Sequence, residues 1–205
     1  MCGKCTDICP NDARKICGKE YTVDEVFKII CKDKTFYTTS GGGATFSGGE
    51  CMLHIDFLKE ILKKCKEHGI HTAVDTAGNI PWQYFEKIMM DTDLFLYDIK
   101  CFSEQLYIEG TGTSNKLILD NLKKLSDTFK GDIIIRIPVI SGFNDEVQEI
   151  MSIAEFLKNI HYDAIELLPY HKMGEHKYLA LGIECNACSV PEKENMEKYR
   201  QLLNL

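Results

Sequence analysis

From Tyr21 onward, short apolar and β-branched runs alternate with amphipathic segments at intervals of about 30 residues, and this rhythm restricts the fold more than any other feature. Alternation of that kind marks right-handed βαβ units and a parallel sheet. Thr22, with Glu25 three residues on, predicts a capped helix whose apolar face is Val26, Ile29 and Ile30. Residues 35–39 then lead into an opening strand over 44–47. Leu53, Phe57, Leu58, Ile61, Leu62 and Cys65 recur at helical spacing up to a Gly69 cap. Further strands are predicted over 70–76, 94–99, 132–140 and 164–168. Helices opening at Pro81, Leu117 and Glu146 separate them, and a last helix covers 192–203. The count is five strands, with 101–115 read as an irregular loop. Pro138 argues that its strand stops there or lies at an edge, since proline has no N–H for a ladder.

In a parallel α/β sheet or barrel, ligands bind beyond the carboxyl ends of the strands. The first strand sits in SGGGATFSGGE, Ser40 to Glu50, with five glycines in eleven residues. Glycine tolerates positive φ and lets backbone approach a ligand, and Glu50 adds a carboxylate where strand gives way to helix. The second strand ends in Asp75-Thr76, the third in Asp98 with Lys100, the fourth passes through Arg136, and the fifth ends at Tyr170-His171. Each residue alone fits a helix cap or a solvated loop group. As a set they point to one ligand site. Asp75 and Asp98 suit a hard cation held by oxygen, Lys100 and His171 an anionic group, and the glycine exit an ammonium. The combination suits a zwitterionic amino acid moiety.

A chain of 205 residues is sized for one domain with a short appended module. Its net charge of −7 comes with dispersed lysines, so no basic stripe marks a nucleic-acid partner. No apolar run approaches the roughly 18 residues of a membrane span, and there is no charged-then-apolar leader, so the expected compartment is the cytoplasm and no membrane partner is expected. Ten cysteines in such a setting read as metal or cluster ligands before they read as disulfides. Cys2, Cys5 and Cys9, followed by Pro10, match the last three cysteines and the proline of C-x2-C-x2-C-x3-C-P, a four-iron cluster run. The run's first cysteine would fall ahead of Met1. Residues 1–20 are therefore read as the remnant of a ferredoxin-like iron–sulfur module, and 21–205 as the α/β domain. The competing reading is a zinc or cluster site made by Cys2, Cys5, Cys9 and Cys17 themselves. Cys31, Cys65 and Cys101 read as small buried hydrophobes. Cys185 and Cys188 form a second C-x2-C, read as loop cysteines unless His171 and His176 complete a site.

CGKCTDICP, SGGGATFSGGE, GIHTAVDTAG, LYDIK, RIPVISGFND and ELLPYHKMGEHKY together resemble the activating enzymes of glycyl radical enzymes. These form the pyruvate formate-lyase activase group of the radical S-adenosylmethionine superfamily. The resemblance spans nearly the whole chain. It implies a partial parallel (β/α) barrel lacking its first strand. It implies that Gly48, Gly49 and Glu50 form the GGE motif that grips the methionyl amino group, and that Asp98, Ile99, Lys100 and His171 lie against S-adenosylmethionine with Arg136 in the same site. Asp75, Thr76 and Asp98 would help to hold a monovalent cation. The implied chemistry is reductive cleavage of S-adenosylmethionine at a four-iron, four-sulfur cluster. The resulting 5′-deoxyadenosyl radical would take hydrogen from a glycine of a partner glycyl radical enzyme, with flavodoxin or ferredoxin as electron donor.

Two departures qualify that expectation. The cluster of this superfamily is held by C-x3-C-x2-C, whereas Cys2, Cys5 and Cys9 run in the reverse spacing, and no such triplet occurs in the sequence. The expectation is thus of the carboxyl-terminal portion of an activase, unable by itself to cleave S-adenosylmethionine. Cys51 stands where proline commonly follows GGE. The alternatives left open are a non-catalytic binding module, an iron–sulfur electron carrier and a cation-dependent barrel lyase.

Overall fold

A computed structural model describes residues 4–11, 13, 14, 16, 18–183 and 189–205. Its centre is a sheet of five parallel strands, β1 (Gly43–Phe46), β2 (His71–Thr76), β3 (Leu94–Asp98), β4 (Asp132–Val139) and β5 (Ala164–Pro169). The strands lie in the sheet in the order in which they occur along the chain. The α/β class and the five strands are as predicted. Sequential order has a physical consequence: right-handed crossovers between consecutive neighbours place every connecting helix on the same side. Helices α4 (Ile55–Glu67), α5 (Trp82–Ile88), α7 (Lys116–Thr128) and α8 (Val147–Leu157) accordingly share one core with a single face of the sheet. This is the arc of a barrel, not a doubly wound sheet.

The two-residue period of a strand sorts the side chains. Val74, Phe95, Tyr97, Ile133, Ile135 and Ile137 face the helices and are buried, with the Phe95 ring meeting Phe85 at 5.7 Å and Phe129 at 4.8 Å. The opposite face carries Thr45, Asp75, Asp98, Arg136 and Glu166, all at least partly exposed. Parallel sheets ordinarily bury both faces under apolar side chains. Here the second face turns polar toward the carboxyl ends.

At the amino ends, aspartates cap the ladders. Asp93 Oδ2 accepts from Thr72 N at 2.8 Å, and Asp163 Oδ2 accepts from Ile133 N at 2.7 Å, satisfying amides where pairing starts. Helix α2 (Val23–Lys32) opens with the expected capping box, Glu25 N donating to Thr22 Oγ1 and Thr22 N to Glu25 Oε2 at 2.8 Å. Gly69 closes α4 at φ 66°, where Ile70 N bonds back to Cys65 O at 2.9 Å.

Three local expectations are corrected. Residues 35–39 do not lead into β1 as extended chain but lie in helix α3 (Lys34–Ser40). There Thr38, Thr39 and Ser40 return their hydroxyls to carbonyls one turn back, so β-branched residues are accommodated in a helix. The stretch 101–115 is not wholly irregular: Ser103 caps α6 (Glu104–Thr111), which Gly112 ends at φ 78°. Pro138 lies in an internal strand, one residue before its end, and is tolerated because β3 stops pairing with β4 at Arg136 while β5 continues. Short helices α1 (Lys4–Asp7) and α9 (Glu175–Leu181), and α10 (Lys193–Leu202), complete the described elements. None of the described helices is long and apolar enough to cross a membrane.

Candidate functional site

The site is a chain of ionised groups along the open face of the sheet. Arg136 on β4 pairs in register with Asp98 on β3, and its side chain also reaches across β3 to β2. Its NH1 lies 2.9 Å from Asp75 Oδ2, and its Nε 3.6 Å from Asp98 Oδ1. Ser47, at the exit of β1, donates to Asp75 Oδ2 at 3.0 Å, and Lys100 Nζ stands 3.4 Å from Asp98 Oδ2. Four of the five carboxyl ends thus meet in one network. The Asp75, Asp98 and Arg136 side chains retain only 20–22% exposure, so these interactions are less screened than surface ion pairs.

Asp98 is the strained member. Burial pushes its pKa up, the neighbouring Asp75 adding to the shift while Lys100 and Arg136 oppose it. Its Oδ1 is buried and accepts no hydrogen bond, Arg136 Nε being too distant for one. An orphaned carboxylate oxygen at the end of a strand is an acceptor awaiting a donor. A ligand ammonium would supply one.

Gly48 and Gly49 present the complementary opening. Gly48 has φ 137°, a conformation that side chains rarely adopt. Neither φ nor packing demands glycine at Gly49, where a Cβ would meet no atom of this chain. Glu50 behaves differently. Its Oε2 accepts from Thr76 Oγ1 at 2.8 Å and Ala77 N at 3.2 Å, and its Oε1 accepts from Met52 N at 3.2 Å, capping the 3-10 turn Cys51–His54. Glu50 therefore ties the exit of β1 to the end of β2. The Thr76 hydroxyl, nearly fully buried, lies on the helix side of the sheet, opposite Asp75 and Asp98.

The turn at Cys51 now has a geometry. Its thiol points to Phe46 O at 3.4 Å and Asp75 O at 3.5 Å, joining the ends of β1 and β2, and burial with the adjacent Glu50 pushes its pKa up to about 12. Ile99 is buried and donates its N–H to Arg136 O at 2.9 Å. His171 lies just past β5 and is exposed. Cys5 is exposed on α1, and Cys9 is half-buried with its thiol pKa lowered by the backbone amides of Asn11 and Ala13. Cys2, Cys17, Cys185 and Cys188 lie outside the described residues. Among the described residues no three His, Cys, Asp or Glu side chains converge on a metal position.

Several supporting groups escaped the sequence reading. Ser47 was passed over as part of a glycine motif, and Asn115, Asn121 and Asn144 as turn or helix residues. Glu149, buried in the first turn of α8, accepts the backbone amides of Phe102 and Ser103. Asn144 and Asn115 lie in the segments SGFND (141–145) and GTGTSN (110–115), where asparagine is expected simply as a turn former, and Ser47, Asn121 and Glu149 carry no such signal.

A parallel sheet with its ionised cluster at the strand ends and the helices α4, α5, α7 and α8 on the other face defines a barrel-arc α/β domain, and comparison with known proteins gives it a family. The Radical SAM superfamily profile matches residues 7–157, and the chain belongs to that superfamily. It is 44% identical, over 94% of its length, to the trans-4-hydroxy-L-proline dehydratase activating enzyme of Clostridioides difficile, of which it covers 65%. It is 42% identical to the 4-hydroxyphenylacetate decarboxylase activating enzyme of C. difficile strain CD196, with 88% of the chain and 57% of that relative aligned. It therefore spans roughly three fifths of the length of these curated relatives. A domain of pyruvate-formate lyase-activating enzyme from Bacteroides vulgatus ATCC 8482 superposes with a TM-score of 0.67 at 33% identity, over 80% of this chain and 93% of that one.

Proposed function

We propose that the strand-end cluster binds S-adenosylmethionine and that the chain serves as the substrate-holding part of a glycyl radical enzyme activase. The observation that carries this reading is the buried Asp98 Oδ1 without a hydrogen-bond partner, at a strand end where Asp75, Lys100 and Arg136 gather on the same face of the sheet. An α-amino acid group fits the pairing of acceptors and cations there: its ammonium would go to Asp98 Oδ1 and the glycine carbonyls, its carboxylate to Lys100, with His171 at the outer rim. Arg136 fixes Asp75 and Asp98 in place beforehand, so little ordering is left for the ligand to impose. A monovalent cation at this rim would compete with the Arg136 guanidinium for the same two carboxylates. Superfamily membership and the names of the relatives support the chemical assignment.

S-adenosylmethionine held by Asp98, Lys100 and the Gly48–Gly49 backbone would be cleaved reductively only with a four-iron, four-sulfur cluster beside it, one electron releasing methionine and supplying the adenosyl radical chemistry that a glycyl radical enzyme needs. The chain's own groups orient the methionyl end and, with the helix-side core behind them, keep water off Asp98. The cluster does not fit the cysteines present, for the sequence contains no C-x3-C-x2-C, and no step is assigned to a cluster on this chain. Flavodoxin or ferredoxin would donate the electron, in the cytoplasm. Residues 1–20 would belong to a ferredoxin-like iron–sulfur module, with Cys2, Cys5 and Cys9 among its ligands, and 21–205 to the barrel.

Titration calorimetry of the 205-residue chain with S-adenosylmethionine tests the reading. Binding is expected, and Asp98→Ala is expected to abolish it. Absence of heat at millimolar ligand with correctly folded protein would overturn it.

A further inference from the structure

Three buried asparagines share one device behind the site. Asn115, at the start of α7, donates through Nδ2 to Cys101 O at 3.1 Å and Phe102 O at 2.8 Å. Asn121, within α7, donates to Gly78 O at 2.9 Å and Ile80 O at 2.7 Å. Asn144, in the turn after β4, donates to Lys100 O and to Pro138 O at 2.7 Å. All three are at most 1% exposed. A carboxamide nitrogen carries two hydrogens, so each is a two-pronged tie between carbonyls of the strand-end loops.

Of these three, the Asn144 tie joins the exits of β3 and β4, which carry Asp98, Lys100 and Arg136. The β3–β4 ladder closes with Ile99 N donating to Arg136 O. One step further, residue 138 is proline and has no N–H to offer, while Lys100 O and Pro138 O both need donors. Both carbonyls are partly buried, and a buried carbonyl left unpaired costs about 1–3 kcal/mol. Asn144 supplies both hydrogens, and its Oδ1 accepts from Ile140 N at 2.7 Å. The ladder is thus continued by a side chain past the point where proline ends it.

We propose that Asn144 is a positioning residue for the S-adenosylmethionine site. By holding Lys100 O to Pro138 O it sets the separation of the β3 and β4 exits, and with it the placement of Lys100 and Asp98 against Arg136. Asn144 itself touches none of these charged groups. The inference rests on the proposed ligand for its effect on binding, but not for its effect on the ion network.

Asn144→Asp tests it. The aspartate keeps the shape and the acceptor for Ile140 N but turns an acceptor toward two carbonyls. Asn144→Ser is the milder variant, keeping a hydroxyl. Two readouts are taken at a temperature where circular dichroism matches the parent chain: the calorimetric Kd for S-adenosylmethionine, and the Arg136 Nε–H resonance of ligand-free protein. Asn144→Asp is expected to raise Kd by about tenfold or more, about 1.4 kcal/mol, and both variants to shift the Arg136 resonance. A lowered melting temperature with Kd and resonance unmoved would show a merely structural role and overturn the proposal. If Asn144→Asp does not fold, the same result in Asn144→Ser would overturn it. A parent chain that binds no S-adenosylmethionine, while the resonance still moves in the variants, would remove the ligand reading and leave the positioning role standing.

Discussion

Arg136 on β4 reaches past its in-register neighbour to stand 2.9 Å from Asp75 Oδ2 on β2, so one guanidinium bridges two carboxylates on separate strands. Two like charges on adjacent strand ends would otherwise repel in a half-buried setting. Arg136→Met is expected to destabilise the fold by about 3 kcal/mol, the cost of leaving buried charges uncompensated. Arg136→Lys keeps the charge but not the planar fork, and should recover only part of that loss. Chemical denaturation of the three proteins measures both.

The raised pKa of Asp98 makes a signed prediction. The folded chain binds a proton at Asp98 more readily than the unfolded chain does. Its contribution to stability is therefore fully present below the unfolded pKa and is lost as pH rises through the folded value. Asp98→Asn should track the parent chain in acid and become relatively more stable as pH approaches neutrality. Denaturation midpoints over a pH series give the difference, and a flat or reversed trend would count against burial as the dominant cause.

Cysteine reactivity should divide sharply. The thiols of Cys51 and Cys101 are pushed up to about 12 and that of Cys65 to about 11, in each case chiefly by burial. All three should resist alkylation at neutral pH, since the thiolate is the nucleophile. Cys9, whose thiol is lowered by backbone amides, should react early. Timed iodoacetamide labelling with peptide mass spectrometry orders them.

Gly78 after β2 adopts φ 73°, and a Cβ there would come within 1.8 Å of Tyr97 Oη. Gly78→Ala should cost about 1–2 kcal/mol from the backbone conformation alone, with the clash added. Removing the hydroxyl in Tyr97→Phe forfeits its bond to Ile118 O, about 1 kcal/mol. The double variant should lose less than the sum of the two singles, because the nearest contact is removed although the ring carbon Cζ, at 2.3 Å, must still shift. Thermal unfolding of the four proteins checks the coupling.

After iron–sulfur reconstitution and dithionite reduction, the 205-residue chain is expected to release no 5′-deoxyadenosine above background, the C-x3-C-x2-C triplet being absent from its sequence. Chromatography of the reaction mixture decides it, and formation of the nucleoside would show that another ligand set holds a working cluster.

Much of this protein was legible in its residues. The alternation of strand and helix yields five parallel strands, and the carboxyl-end rule singles out Asp75, Asp98, Lys100 and Arg136, which the structure brings together. Local composition misled at residues 35–39, where hydroxyl back-bonding turned a threonine-rich run into a helix. It also hid α6, whose short, weakly amphipathic sequence carries little periodic signal.

The amino-acid sequence by itself determined which groups stand at the strand ends, because a period of two and a fixed strand direction follow from local geometry. Only the tertiary structure decided what each group meets. Glu50 accepts from Thr76 at the end of the neighbouring strand and from Ala77 just beyond it. Arg136 serves two strands, and Asn144 ties the exits of β3 and β4 beyond their last pair. Those partnerships depend on register and on side chains 26 to 61 positions apart in the case of Glu50–Thr76 and Arg136–Asp75, separations over which no sequence pattern carries distance.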